Sequence, residues 1–216
     1  MNEISQRLRE ALGAVAKGNT EKALPVLEEE AEQGIPEAQF TLGSLYANGD
    51  GVPLNYTKAA HWIGQAAEAN LSAAQPVMAW LCANGYGVEQ DDAKAREWYL
   101  RAAEGGDADA QLAVAVMYQF GRFGAKKEPA RMLAWYQRAA QQGHPKAQFA
   151  LGKLMAHGDL VKQDDEAAFQ WLTLAIMNGS EPAKQELAVL TGRLKESQVE
   201  AFKQRMLEAM AEGQAR

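Results

Sequence analysis

"AQFTLGSLYANGDGV" runs from Ala38 to Val52, and "AQFALGKLMAHGDLV" runs from Ala147 to Val161. Such sameness marks either duplicated active sites or architecture, and the sequence between the two copies decides which. Trp62, Trp98, Trp135 and Trp171 recur at spacings of 36, 37 and 36 residues. An Ala-Gln pair stands at Ala38, Ala74, Ala110 and Ala147, and a small residue follows at Gly43, Ala79, Ala115 and Gly152. "NGDGV", "NGYGV", "FGRFGA" and "HGDLV" fill corresponding stretches; each unit closes with an alanine pair or near-pair, such as 66–67, 102–103 and 139–140, and three of the four end on glycine, at Gly106, Gly143 and Gly179. Self-similarity at such a period is the signature of a stacked repeat. The recurring columns are scaffold, so function is expected in the positions that differ.

Each unit reads as two helices. Ala38, Leu42, Leu45 and Tyr46 fall on one apolar stripe at helical spacing. Gly49 and Gly51 then interrupt it, because glycine accepts the left-handed conformation that ends helices. A second helix is predicted to start near Asn55, Asp91, Glu128 and Asp164, where side-chain oxygens cap free backbone N–H groups. Pro129 suits a first turn, where no N–H is missed. The small columns let paired helices approach closely, and the tryptophan is expected to cover the joint. Burying about 150–250 Å² of ring is worth at most about 4–6 kcal/mol per repeat before entropy is subtracted. One helix pair cannot bury such a face alone, so neighbours must stack.

Composition narrows the function. The chain has 216 residues, 47% of them hydrophobic, and a net charge of −6. That acidity argues against nucleic acid, whose phosphates need a basic footprint. No stretch approaches the roughly 20 apolar residues that span a bilayer. The start, "MNEISQRLREAL", lacks the apolar centre of a secretory signal. A single cysteine, Cys82, cannot form an internal disulfide. A cytoplasmic setting is therefore expected, with a periplasmic one only if a signal segment was removed ahead of Met1.

The repeated residues closely resemble the Sel1-like repeat (SLR) family, relatives of the tetratricopeptide repeats. The family pattern is A-x-x-x-L-G-x-x-Y, then G-x-G-V, then D-x-x-x-A-x-x-W-x-x-x-A-A-x-x-G. The resemblance covers about residues 35–179 and implies an all-α fold, a right-handed α-solenoid superhelix of antiparallel helix pairs. It divides the chain into a tetratricopeptide-like pair (1–34), four repeats (35–70, 71–106, 107–143, 144–179) and capping helices (180–216), all one continuous solenoid. It also implies a protein-interaction or scaffold role, often in bacteria, with no shared catalytic residue. Three departures stand out: an extra residue in "FGRFGAKKEP", Met132 in a small-residue column, and Leu160 in place of the second loop glycine. The third repeat is expected to pack less regularly. Paired cysteines carried by some secreted members are missing here, so the β-lactam binding attached to that group is not transferred.

At the ends, Thr20 is a candidate N-cap with Pro25 in the turns that follow, and Pro182–Thr191 is a predicted helix. "SQVE" at Ser197–Glu200 reads as a capping box. The helix after it is expected to run to about Met210 and to shield the end of the stack with a polar face. The last five residues, "EGQAR", are expected to fray.

By analogy with tetratricopeptide solenoids, the first helix of each pair lines the concave side. Its inward positions supply Phe40, Ser44 and Asn48, then Trp80 and Asn84, then Phe120, then Phe149, Lys153 and His157. So many exposed aromatics suggest a binding face. The expectation is a non-enzymatic adaptor holding a peptide or partner helix, with the rings as anchors and the asparagines on the ligand backbone. Alternatives remain open. Phe40 and Phe149 could pack between repeats, Asn48 and Asn84 could simply end helices, and the loop aromatics Tyr86 and Phe123 could widen the surface or cap the loop valines. A regulatory or immunity-type protein clasping a whole partner domain is the second reading, and a hydrolase of cell-wall or β-lactam substrates the third.

Candidates for chemistry are few. His61, His144 and His157 lack metal-ligand spacing, so no metal or cofactor is expected. Cys82 falls in the column of Tyr46, Tyr118 and Met155, which marks a buried small hydrophobe. Asp91-Asp92 and Asp164-Asp165 open helices and read as caps. The acidic run at Glu28–Glu32 reads as a solvated face.

Overall fold

The computed structural model describes residues 5–214. Among them lie twelve α-helices in sequential antiparallel pairs, the α-solenoid arrangement. They are α1 (Gln6–Ala16), α2 (Thr20–Glu32), α3 (Pro36–Asn48), α4 (Tyr56–Glu68), α5 (Ala74–Asn84), α6 (Asp92–Glu104), α7 (Ala108–Phe120), α8 (Pro129–Gln141), α9 (Pro145–His157), α10 (Asp165–Met177), α11 (Glu181–Arg193) and α12 (Glu196–Gln214). The chain forms two compact units, one up to Ala110 and one from Gln111.

The helix boundaries follow from local chemistry. Gly49, Gly85 and Gly158 close α3, α5 and α9 in the left-handed conformation, at φ of 76°, 70° and 74°. Asn70 takes the same conformation, at φ 62°, where the neighbouring repeats use Gly34 and Gly106. A short polar side chain is among the few that tolerate it. The second helices start as the sequence suggests at Asn55, Asp91 and Asp164, whose side chains accept from Lys58 N, from Ala93 N and Lys94 N, and from Ala167 N. Glu128 occupies the cap position of α8 without a side-chain cap bond, and Pro129 starts that helix instead. A further bond recurs in every repeat. The cap residue's N–H donates to the carbonyl of Tyr46, Cys82, Tyr118 or Met155, at 2.9, 3.0, 3.1 and 3.0 Å. The loop is thereby folded back on the first helix, and this column is fixed by backbone in all four repeats and by burial as well at Tyr46, Cys82 and Tyr118.

In the first unit the core runs through Leu8, Leu27, Leu42, Ile63 and Leu81, all fully buried. Gly43 allows α3 and α4 to touch. A Cβ there would lie 2.6 Å from Ile63 Cγ1 and 3.1 Å from the Ala59 carbonyl. The residue over the joint is thus Ile63, not Trp62, which corrects the expected role of the tryptophan column. Trp98 is buried, whereas Trp62, Trp135 and Trp171 are half-buried. The same device returns in the second unit, where a Cβ at Gly152 would lie 2.6 Å from Leu172 Cγ.

Two more expectations in α1–α2 are corrected. Thr20 is not the cap of α2; it is the first helical residue, buried, with Asn19 before it. Its Cβ and methyl fill the space a Cβ at Gly51 would need, 2.5 and 2.8 Å away. Glu30 is buried rather than solvated and accepts from Ser5 Oγ at 2.7 Å, while Glu29 pairs with Arg7.

The second unit packs around Ala168, Phe169, Leu172, Leu190, Phe202 and Met206. Met132, the outsized residue in a small column, is fully buried. The extra loop residue is absorbed by Phe123, which adopts φ 52° between Gly121 and Gly124. The predicted capping box shifts register: Gln198, not Ser197 or Glu200, closes it, accepting from Lys195 N at 3.1 Å. Arg205 ties α12 to Glu166 of α10 through two N–H donors. α12 continues to Gln214, beyond the expected stop near Met210; residues 215–216 of the expected frayed end lie outside the described residues. Nor is its face wholly polar. Met177 and Leu207 are exposed beside an apolar groove lined also by Ile176, Leu187 and Val199.

Candidate functional site

The Ala-Gln column has a use that the sequence reading did not assign. Gln39, Gln75, Gln111 and Gln148 are the buried polar residues of the repeats. Gln148 Nε2 donates to the Ala140 carbonyl at 3.1 Å, and its Oε1 accepts from Asn178 Nδ2 at 2.9 Å. The amide thus joins the end of α8 to α10 through α9. Gln39 links α2 to α4 with its Nε2 alone, which donates to the Ala31 carbonyl at 3.1 Å and to Gln65 Oε1 at 3.0 Å, while its own buried Oε1 has no partner among the described residues. Buried amide N–H groups need such acceptors, and in both copies the Nε2 donates to the closing turn of the preceding helix, so the glutamine is fixed by architecture. Its repetition four times was the available signal. Beside Gln39 lies a shallow groove lined by His61, Trp62, Gln65 and Glu68.

The predicted inward residues divide into those used by the fold and those left open. In the first unit, Ser44 Oγ donates to the Phe40 carbonyl at 2.8 Å, and Phe40 itself is half-buried. Asn48 ends α3 and donates to Asp50 at 3.1 Å; Asn84 ends α5 and donates to the Trp80 carbonyl at 2.8 Å. Both asparagines therefore take part in helix termination. Trp80 is different: it is 43% exposed. Its ring lies 4.9 Å from that of Tyr86, which is 39% exposed and stacks on Tyr56 at 4.8 Å with an interplanar angle of 20°. Tyr86 therefore joins the aromatic surface of α5.

Gly87 makes that arrangement possible. At φ 73°, it brings the loop so close to the start of α4 that a Cβ would lie 1.9 Å from the Tyr56 carbonyl oxygen. The tight contact between the two loops holds Tyr86 over Tyr56. Trp80 sits one turn before the end of α5, where Leu81 and Cys82 turn inward and are buried. Cys82 is buried, and burial pushes its thiol above its usual value, which disfavours the thiolate.

In the second unit Phe120 is 55% exposed at the end of α7, with the Arg122 guanidinium 5.7 Å from its ring centre. Phe149 packs against the core cluster of α10–α12 and serves packing. Lys153 is exposed, and His157 is held by Glu186 at 2.6 Å. Gln119, beside Phe120, accepts from the Tyr136 hydroxyl at 2.6 Å. Burial pushes that hydroxyl up to about 12. Among the described residues, no group of three or more His, Cys, Asp or Glu could hold a metal ion, and no helix is long and apolar enough to cross a membrane. Asp91 and Asp164 are both engaged in capping. The N–H groups of Lys94 and Ala93 hold the Asp91 carboxyl below its usual range.

Comparison with known proteins agrees with this frame. Sel1 repeats match at residues 36–71, 72–107, 108–144 and 145–180. No curated protein matches the chain. Among solved structures, a Sel1 repeat protein from Oxalobacter formigenes is 31% identical with a TM-score of 0.77, over 94% of this chain and 86% of that one. A protective antigen present in uropathogenic Escherichia coli strains, displaying an SLR fold, is 34% identical with a TM-score of 0.75 over 79% of this chain. This chain spans only 36% of that antigen's length. A Klebsiella pneumoniae structure, 19% identical at a TM-score of 0.51 over 86% of this chain and 91% of that one, shares the fold. With four matched units covering more than half its length, the chain belongs to the Sel1 repeat family.

Proposed function

We propose that this protein is a non-enzymatic interaction scaffold that takes a peptide or partner helix on the face carried by the first helices of its repeats. Proteins built on these repeats commonly mediate protein interactions. The observation that carries the reading here is the Trp80–Tyr86–Tyr56 series. Two of its rings stand open to solvent while a stacked partner and a loop glycine hold them in place. Large aromatics lose little conformational freedom on contact and supply most of the energy at interface centres. Phe120 is the corresponding open ring of the second unit. Phe40 supports the surface as a half-buried neighbour in the repeat before Trp80. The burial of Cys82 and the capping role of Asp91 and Asp164 favour recognition over catalysis. A cytoplasmic setting belongs to the same proposal.

The test is photo-crosslinking in the native cell. A benzophenone side chain in place of Trp80 should capture a defined partner, and the same group at exposed Glu97 on α6 should not. Equal crosslinking at both positions, or none at position 80, contradicts the proposal.

A further inference from the structure

The charge of the chain is divided unevenly. Residues 1–110 carry eight Lys and Arg against seventeen Asp and Glu, a net −9, whereas residues 111–216 carry fourteen against eleven, a net +3. Trp80 and Tyr86 belong to the acidic unit. Their loop continues directly into exposed Glu89 and Asp92, three and six residues after Tyr86.

The protein uses cations on its own rings freely. Lys58 lies over Tyr46, Arg101 over Trp98, Arg122 over Phe120, Arg131 over Tyr118, Arg138 over Trp135 and Arg205 over Phe202, at 4.5–5.7 Å from the ring centres. Among the described residues, no Lys or Arg lies over Trp80, Tyr86 or Tyr56. The cations that come next along this part of the chain are already engaged: Lys58 on Tyr46, Lys94 on Asp91, and Arg101 on Trp98 and Glu68, while Arg96 also has a partner. The most open aromatic surface of the acidic unit is thus the one without a cation of its own.

We infer that this surface recognises an arginine-bearing segment of a partner protein, an inference that rests on the interaction-scaffold reading above. A guanidinium is attracted to the face of an indole or phenol ring. Being planar and weakly hydrated, it stacks there better than an ammonium. Asn84, exposed one turn after Trp80, commits its amide N–H to the Trp80 carbonyl, which leaves its Oδ1 as an acceptor for a guanidinium N–H. The net −9 of the unit draws basic segments in and repels acidic ones.

The experiment follows the indole N–H signal of Trp80 in a proton–nitrogen correlation spectrum of the full chain, assigned with Trp80→Phe. Four synthetic nonapeptides of Gly and Ser are compared, bearing two Arg, two Lys, two Glu or two Leu. The Arg peptide should shift the Trp80 signal and bind most tightly, the Lys peptide more weakly, and the Glu peptide not at all. Affinity should fall with added salt. Trp80→Ser should weaken the Arg peptide at least about tenfold, while Phe120→Ser leaves it unchanged. A Trp80 signal moved as strongly by the Leu or Glu peptide overturns the arginine assignment and leaves the recognition surface standing. A Trp80 signal moved by none of the four contradicts both readings. Concentration-dependent dimerisation abolished by Trp80→Ser would give the surface to a second copy and overturn the inference too.

Discussion

Replacing Gly87 with alanine separates two costs that are usually mixed. At φ 73° the new residue is left-handed, a strain of about 1–2 kcal/mol. Gly18, at φ 77° with nothing within 4 Å of its absent Cβ, carries that backbone cost alone and is the natural control. The unfolded-state gain from losing a glycine is common to both and partly offsets the strain. What differs is contact. An added Cβ at Gly87 meets the Tyr56 carbonyl at 1.9 Å and the Thr57 nitrogen at 2.7 Å, which are backbone atoms that cannot rotate away. The loop must shift, at the typical overpacking cost of about 1–3 kcal/mol. Gly87→Ala should therefore lose about 2–4 kcal/mol in all, and Gly18→Ala only about 1 kcal/mol. Guanidinium unfolding followed by helical circular dichroism measures both. A Gly87→Ala variant no less stable than Gly18→Ala would refute the claim that this glycine seats the loop.

Gln148→Met should cost about 1–3 kcal/mol, because it removes two hydrogen bonds at about 0.5–1.5 kcal/mol each, one to the Ala140 carbonyl and one from the Asn178 amide; a change under about 0.5 kcal/mol, the usual range for surface substitutions, would remove the glutamine column from the account. Cys82 in the folded protein should react with iodoacetamide at less than about a tenth of its unfolded rate, since burial raises its pKa and covers its sulfur; equal rates would mean that α5 does not bury it. The capping bonds that lower the Asp91 pKa stabilise the fold at pH values above the ordinary carboxylate pKa, and this is lost as pH falls through the lower folded-state value. The gap in unfolding midpoint between wild type and Asp91→Ala should therefore narrow in acid, and a constant gap would contradict the cap.

The repeat frame was legible because it is written four times. The first-helix stripe, the left-handed glycines and the Asn/Asp caps are local features whose chemistry depends on few neighbours. The errors arose where a neighbour decides. A tryptophan column marks a helix face, but which of Trp62 and Ile63 lies over Gly43 depends on helix rotation, and one residue turns the answer by about 100°. Thr20 reads as a cap until the Gly51 loop is seen to press on it. Glu30 sits in a run of acids, yet the helix turns it towards Ser5 while Glu29 faces Arg7. Trp80 was legible as an outlier from the tryptophan column. Its partnership with Tyr86 was not, because it needs the Gly87 turn to bring a loop against the start of α4. The uneven charge was present in the sequence throughout and acquired meaning only when the chain divided at Ala110.

The most direct test of the whole account is a single denaturant titration comparing Trp80→Ser with Ile63→Ala. The frame should yield to the second and not to the first. Ile63→Ala, at a fully buried site pressed on Gly43, is predicted to lose about 2–5 kcal/mol. Trp80→Ser, which gives up mainly an exposed ring contact, is predicted to lose no more than about 1 kcal/mol. If Trp80→Ser instead costs as much as Ile63→Ala, the ring belongs to the core and cannot be the protein's open recognition surface.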